Sequence, residues 1–120
     1  MAKINVLDCT LRDGGYYTNW DFSPNLVSAY LQTAGASGID AIEIGFRSMP
    51  QDRFLGAFAY STDDFLSDLP LPKNVVIAVM VNAKELLAYR EGAEAAVDLL
   101  FQEASQSPVR MVRIACHFAE

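Results

Sequence analysis

The chain has 120 residues, of which 52% are hydrophobic and 20% are charged, a composition typical of one globular domain rather than a disordered tail. Nine basic against fifteen acidic residues give a net charge of −6, which argues against binding to nucleic acid or to anionic lipid. No apolar stretch is long enough to span a bilayer, no secretory leader is visible, and two cysteines are too few for a disulfide scaffold. We therefore expect a cytoplasmic protein.

The first third of the chain predicts a strand, a helix and a second strand. Residues 4–9 form an apolar run that a pair of glycines closes, which is typical of a short buried strand. Ser23, followed by a proline, predicts the start of a helix, and Gly35 or Gly38 can end that helix. Residues 41–46 then predict a second strand.

The rest of the chain repeats this alternation. A loop leads to a short helix that we expect to start near Ser61 or Thr62. The stretch 83–105 predicts a helical region that Gly92 divides. Two further apolar runs predict strands, at residues 75–81 and 111–116. The order β-α-β-α-β-α-β, with crossovers long enough for parallel strands, predicts an α/β protein. Two architectures fit: an open doubly wound sheet, and about half of a (β/α)8, or TIM, barrel.

Each predicted strand carries a polar residue near its carboxyl end, on the face expected to point away from the covering helices. In the second strand, strict alternation places Glu43 opposite Ile42, Ile44 and Phe46. Burying such a group is costly unless it is paired or binds something, and parallel α/β folds bind ligands at the carboxyl ends of their strands. For any one position, an ordinary paired or solvated residue is the alternative. Together the strand ends predict one shared ligand site: Asp8, Arg12, Asp13, Glu43, Asn82, Arg113 and His117.

Three motifs carry a resemblance to a known superfamily. The segment 8–15 reads D-C-T-L-R-D-G-G and resembles the first-strand signature of the metal-dependent aldolase and lyase superfamily of (β/α)8 barrels. Residues 41–45 are similar to that superfamily's second strand, and residues 112–117 to its fourth. The sequence looks closest to 4-hydroxy-2-oxovalerate aldolase-like proteins. The resemblance implies that residues 1–120 are a single segment, the N-terminal half of such a barrel with about four strands.

The resemblance also implies a chemistry, the making or cleaving of a 4-hydroxy-2-oxo acid through a pyruvate enolate. Asp13 would bind a divalent metal, Mn²⁺ or Mg²⁺, and Arg12 would stabilise the enolate oxygen. Glu43 would orient Arg12 or a bound water. Tyr16 stands where 4-hydroxy-2-oxovalerate aldolases have a general-base histidine, and would donate a hydrogen bond to the substrate or relay a proton. His117 matches a fourth-strand histidine and would line the pocket.

The sequence departs from the superfamily in its histidines. It has a single histidine and lacks the His-x-His pair that supplies the other metal ligands. We expect the isolated half-barrel to be inactive and to self-associate, burying Val6, Ala78, Met80 and Ala115. Three alternatives stay open: an acyl-CoA enzyme similar to hydroxymethylglutaryl-CoA lyase or isopropylmalate synthase, a non-catalytic fragment or binding module, and a flavodoxin-like phosphate binder. The last lacks a dinucleotide or P-loop fingerprint.

Overall fold

Four parallel strands form one sheet in the computed structural model, which describes residues 2–120. The strands are β1 Leu7–Asp8, β2 Ala41–Phe46, β3 Val76–Asn82 and β4 Met111–Ala115. The helices of these residues are α1 Thr10–Thr18, α2 Pro24–Ser37, α3 Asp63–Ser67, α4 Ala83–Leu87 and α5 Ala93–Leu100. Single turns of 3₁₀ helix lie at Ala57–Ala59 and Ala104–Gln106. None of the helices within residues 2–120 is long and apolar enough to cross a membrane.

The order of the strands in the sheet decides between the two predicted architectures. It is β1-β2-β3-β4, the order of the chain, with every neighbouring pair parallel. A doubly wound sheet reverses its strand order at a switch point, whereas a (β/α)8 barrel adds each strand beside the last. The α/β class is confirmed, and the sequential order is that of half a barrel.

Most predicted helix ends are confirmed by their local geometry. The Ser23 hydroxyl accepts a hydrogen bond from the Leu26 N–H at 3.3 Å, and α2 ends at Gly38, whose φ of 84° is left-handed. Thr62 caps α3 in the same way, accepting from a backbone N–H at 3.2 Å. Gly92, with φ 99°, separates α4 from α5 as predicted, although α5 ends at Leu100, well before residue 105.

The prediction for residues 4–15 is wrong in two respects. The strand covers only Leu7–Asp8, and the segment expected to turn at two glycines forms α1 instead. Gly15 lies against the indole of Trp20, so closely that a Cβ there would come within 1.9 Å of the ring. The glycine therefore serves close packing within a helix rather than a turn, and this contact outweighs its poor helix propensity.

A β-bulge in β2 changes which residues share a face. Glu43 pairs with Ala78, but the next pair in register is Gly45 with Val79, so the chain holds one extra residue between them. Phe46 consequently pairs with Met80 and lies on the face of Glu43, contrary to the strict alternation expected from the sequence. We call the face that carries Glu43 the inner face and the helix-covered one the outer face.

The surface expected to self-associate is partly buried already. Ala78 is 0% and Met80 8% exposed within the chain itself, so neither offers a contact surface to a second copy. Val6 is exposed, and Ala115 is half-buried. Self-association stays a prediction, without two of the four residues first assigned to it.

Candidate functional site

A fully buried glutamate stands at the centre of the inner face. Glu43 is 0% exposed, and its Oε1 accepts a hydrogen bond from the Nε of Arg12 at 2.7 Å. Arg12 lies in the first turn of α1, which follows β1 directly, and α1 packs against β2. The predicted pairing of Arg12 with Glu43 is thus present.

A second arginine contacts the other oxygen of the same carboxylate. Arg113 Nε lies 3.1 Å from Glu43 Oε2. Arg113 belongs to β4 and is in register with Met80, so it reaches Glu43 across β3. The residue of β3 beside Glu43 is Ala78, whose small side chain leaves room for this contact. Strands β2 and β4 therefore place one carboxylate between two guanidinium groups.

The carboxylate keeps Arg12 charged. Partial burial acts to lower the pKa of Arg12, but the hydrogen bond and the negative charge of Glu43 outweigh it, so the pKa is raised above its ordinary value. Arg12 is consequently a permanent cation whose orientation a buried partner fixes. Such a group can stabilise a developing negative charge without exchanging a proton.

Aromatic rings line the inner face beside Arg12. Phe46 lies edge-on to Trp20, with ring centroids 5.5 Å apart, and the Arg12 guanidinium carbon is 5.8 Å from the Phe46 centroid. The Trp20 indole N–H donates to the Arg12 carbonyl at 2.8 Å. Tyr16 packs edge-on against both rings, at 4.9 and 6.2 Å, and stays 61% exposed. The structure thus brings Tyr16 next to Arg12.

Asp13 is available to a ligand but is a solitary donor. Its carboxylate is 68% exposed and lies 3.4 Å from Arg12 Nη1. A carboxylate oxygen suits Mg²⁺ or Mn²⁺. No group of three or more His, Cys, Asp or Glu side chains within residues 2–120 is placed to share a metal ion. The described donors therefore fit one ligand of a metal site and not a complete site.

Asp8 lies apart from this group. It is in register with Ile42, on the outer face, and it accepts hydrogen bonds from the Tyr30 hydroxyl of α2 and from Thr10 Oγ1 at 3.0 Å. Burial acts to raise the pKa of Asp8, but these hydrogen bonds outweigh it and lower the pKa. Its neighbours explain Asp8 as a residue that ties β1 to α2, and the structure does not bring it to Glu43.

Asn82 and His117 meet in a cavity of about 250 Å³ at the carboxyl ends of β3 and β4. Ala115, in register with Asn82, lies in its wall. The His117 backbone N–H donates to Glu120 Oε2 at 2.9 Å. Ala115 is two residues beyond Arg113 and on the same face, so this cavity lies one step along the strand from the two arginines.

The sequence analysis did not predict that the aromatic rings of Phe46 and Trp20 pack together on the inner face beside Arg12. Strict alternation placed Phe46 on the outer face, and no motif singled out Trp20. A glycine in the middle of an apolar strand is a recognised sign of a bulge, so Gly45 was the signal that could have moved Phe46 to the inner face.

Known proteins support the resemblance seen in the motifs. No family model matches the chain. It is 29% identical over 120 residues to the 4-hydroxy-2-oxovalerate aldolase of Carboxydothermus hydrogenoformans, a match that takes in 98% of this chain and 33% of that protein. A solved structure, "the N-terminal domain of a putative aldolase from Bacteroides vulgatus", matches with a TM-score of 0.78 and 37% identity over 92% of this chain and 35% of that one.

The chain is similar to the N-terminal part of aldolases. It spans about a third of the length of the curated relative that it matches. Both matches cover nearly all of this chain. The similarity therefore includes the strands that carry Glu43 and Arg113 as well as the Arg12–Asp13 segment. The resemblance to a 4-hydroxy-2-oxovalerate aldolase, N-terminal part, is thereby confirmed.

Proposed function

We propose that this chain is the N-terminal part of a divalent-metal-dependent aldolase that cleaves or forms a 4-hydroxy-2-oxo acid. The observation that carries the proposal is the contact of Arg12 with the buried Glu43, at 2.7 Å, on the inner face of the half-barrel. The relative named 4-hydroxy-2-oxovalerate aldolase supports the choice of reaction. A small 2-oxo acid is the substrate that this reaction requires, and we propose the cytoplasm as its location.

Arg12 has the properties that the central step of this reaction demands. Breaking the bond between carbons 3 and 4 of such an acid leaves the electron pair on the pyruvate half, as an enolate whose charge rests on the former keto oxygen. A fixed guanidinium stabilises that oxygen without needing to reorganise. Its pKa is raised, so Arg12 donates hydrogen bonds at every pH at which the protein is folded.

Tyr16 is the proposed partner of the hydroxyl at carbon 4. That hydroxyl loses its proton as the aldehyde forms, and a phenol is a weak acceptor for that proton. We propose that Tyr16 donates a hydrogen bond or relays the proton, from its place beside Arg12 on the rings of Trp20 and Phe46.

The metal belongs to the proposal through Asp13. A bound Mn²⁺ or Mg²⁺ would polarise the keto group as a Lewis acid. Asp13 is the described carboxylate suited to hold it, being exposed and next to Arg12. Asp13 alone does not complete a metal site, and Arg12 stabilises the enolate oxygen through its own charge.

The test is aldolase activity of the protein expressed from its complete reading frame. Pyruvate released from a 4-hydroxy-2-oxo acid is followed with lactate dehydrogenase, in the presence of Mn²⁺. Arg12→Ala should lower kcat by about 10² to 10³, the usual effect of losing one oxyanion donor. Arg90→Ala, which removes an exposed arginine remote from the inner face, should change kcat by less than about twofold.

Two results would contradict the proposal. One is a wild-type protein that releases no pyruvate from any 4-hydroxy-2-oxo acid. The other is an Arg12→Ala variant that keeps full activity, since Arg12 would then have no part in the reaction.

A further inference from the structure

Arg113 makes one ion-pair contact, through Nε. Its Nε lies 3.1 Å from Glu43 Oε2 without hydrogen-bond geometry, and Nη1 and Nη2 form no ion pair within residues 2–120. The side chain is 45% exposed. A guanidinium anchored through Nε presents its two Nη groups as a fork, which matches the two oxygens of a carboxylate.

This arrangement differs from an ordinary surface ion pair because the anchor is fixed. Glu43 is completely buried and lies within a strand, so it cannot follow a mobile arginine into solvent. Exposed pairs spend side-chain entropy to stay together and contribute little. An arginine already held by a rigid partner loses less freedom when it binds an anion.

The charges on the inner face leave room for an anion. Arg12 and Arg113 share the single negative charge of Glu43. Asp13 lies near Arg12 at 3.4 Å, is largely exposed, and makes no ion pair with Arg113 among the described residues. The Nη groups of Arg113 therefore have no acidic partner among residues 2–120.

Space for a ligand begins directly beyond Arg113. Ala115, the next residue of β4 on the same face, lines the cavity that also contains Asn82 and His117. The wall of that cavity also includes Lys84, Glu85 and Glu120, so an acid group is accommodated at Arg113 and the uncharged part of a ligand toward the strand ends.

We infer that Arg113 binds a carboxylate of the substrate and so sets the preference of the site for acids, with Glu43 as the residue that positions Arg12 and Arg113 together. This inference rests on the proposed function, in which the substrate is a 2-oxo acid. The carboxylate has two possible sources, the acid group next to the keto carbon or a second acid group on the aldehyde half, and the chemistry of binding is the same.

The test compares an acid with its uncharged ester in the protein from the complete reading frame. Arg113→Gln keeps a donor near Glu43 and removes the charge. It should raise KM for a 4-hydroxy-2-oxo acid about tenfold or more, change kcat by less than about threefold, and leave kcat/KM for the methyl ester nearly unchanged. Arg113→Lys should have a KM for the acid between those of the wild type and Arg113→Gln. Arg90→Gln should have the wild-type KM. An Arg113→Gln variant that loses acid and ester alike would overturn the inference, as would one that keeps the wild-type KM for both monocarboxylic and dicarboxylic acids.

A substrate with a second carboxylate on the aldehyde half identifies the source. If KM for the monocarboxylic acid rises in Arg113→Gln, Arg113 binds the acid group next to the keto carbon. If KM rises only for the dicarboxylic acid, Arg113 binds the distal group. Either pattern supports the inference, whereas unchanged KM values for both acids contradict it.

Calorimetry separates this inference from the proposed function. Pyruvate and oxalate are titrated into the wild type and into Arg113→Gln. Binding that the variant loses supports the inference even where no aldolase activity is found. Activity with equal pyruvate and oxalate binding in both proteins, and unchanged KM values, supports the function and overturns the inference. Should Arg113→Gln fail to fold, Arg113→Lys, which keeps a cation near Glu43 and lacks the guanidinium fork, takes its place in the same titrations.

Discussion

Two arginine clusters lie on opposite faces of β2, and they differ in how completely the protein uses their hydrogen-bond donors. On the outer face Arg47 is 3% exposed; its Nε donates to the Ser61 carbonyl at 2.9 Å and its Nη1 to the Leu100 carbonyl at 3.0 Å. Its Nη2 pairs with Asp63, a carboxylate that also accepts from Ser107 at 2.7 Å. Arg47 therefore ties together β2, α3, α5 and the segment before β4.

On the inner face Arg12 and Arg113 share one carboxylate, and the side chain of Arg113 stays 45% exposed. The comparison gives a physical criterion. An arginine whose nitrogens all bind protein groups stabilises the fold, whereas a rigidly anchored arginine with free nitrogens is available to a ligand. Replacing an arginine of the first kind should lower the free energy of unfolding. Replacing one of the second kind should weaken ligand binding and lower the rate of catalysis.

The largest loss of stability is expected at Arg47. Arg47→Met leaves the Asp63 carboxylate, 10% exposed, without its cation, and breaking a buried pair costs about 3–5 kcal/mol. Arg12→Met should cost less, because Glu43 keeps Arg113 as a partner. Urea unfolding followed by circular dichroism gives both values, with Arg90→Met as the control. An Arg47→Met variant as stable as the control would remove the contrast between the two faces.

A smaller loss is expected at the bulge that separates the faces. A Cβ on Gly45 would lie 2.1 Å from the Phe58 carbonyl oxygen and 2.5 Å from Ser61 Oγ. Backbone must move to accept it, so Gly45→Ala should destabilise by about 1–3 kcal/mol. Gly14→Ala is the matched control, because no atom lies within 4 Å of its added methyl and the residue is helical. That variant should be equally or more stable than the wild type. A neutral Gly45→Ala would show that the close contact can relax.

The smallest effect concerns a carboxylate that has no arginine. Glu85 Oε2 is buried without a partner within residues 2–120, while Oε1 accepts from Gln51 at 3.0 Å. Burial raises the pKa of Glu85 above 4.5, and the hydrogen bonds from the Met49 backbone and from Gln51 only partly offset it. Because the folded state then holds its proton more tightly than the unfolded one, stability falls as pH rises from 4.5 through the higher folded pKa.

Glu85→Gln should accordingly be more stable than the wild type at pH 7, by a small Tm difference of about 1–3 °C, and should lose that advantage below pH 4.5. Thermal unfolding at both pH values measures it. A Tm difference that does not change with pH would mean that the charge of Glu85 has no cost in the fold.

Much of the candidate site could be predicted from the sequence, because its residues are either adjacent in the chain or brought together by the order of the parallel strands. Arg12 and Asp13 are adjacent, so any fold brings them together. Parallel strands added in chain order place the carboxyl ends of β2 and β4 at one edge, which is why Glu43 and Arg113 were expected to share one site; that they contact each other is a finding of the structure. The proximity of Asn82 and His117 has the same origin.

The misplaced residues share a cause, which is that face assignment by a period of two assumes an unbroken strand. The bulge between Glu43 and Gly45 moved Phe46 to the inner face. The shortness of β1 and the start of α1 at Thr10 put Asp8 on the outer face, against Tyr30. Gly15 packs closely against Trp20, five residues later. The two glycines were expected to form a turn, and nothing in that pattern indicates this contact.

The sequence by itself determined the parallel α/β class, the starts of α2 and α3, and the set of charged residues gathered at the strand ends, since hydrophobic period, capping residues and strand direction are local or follow directly from local pattern. Only the tertiary structure decided which charges are used by the fold and which remain free. That distinction depends on which donors find acceptors across the sheet: Arg47 finds hydrogen-bond acceptors for all its nitrogens, whereas Arg113 makes a single ion-pair contact, through Nε, among residues 2–120.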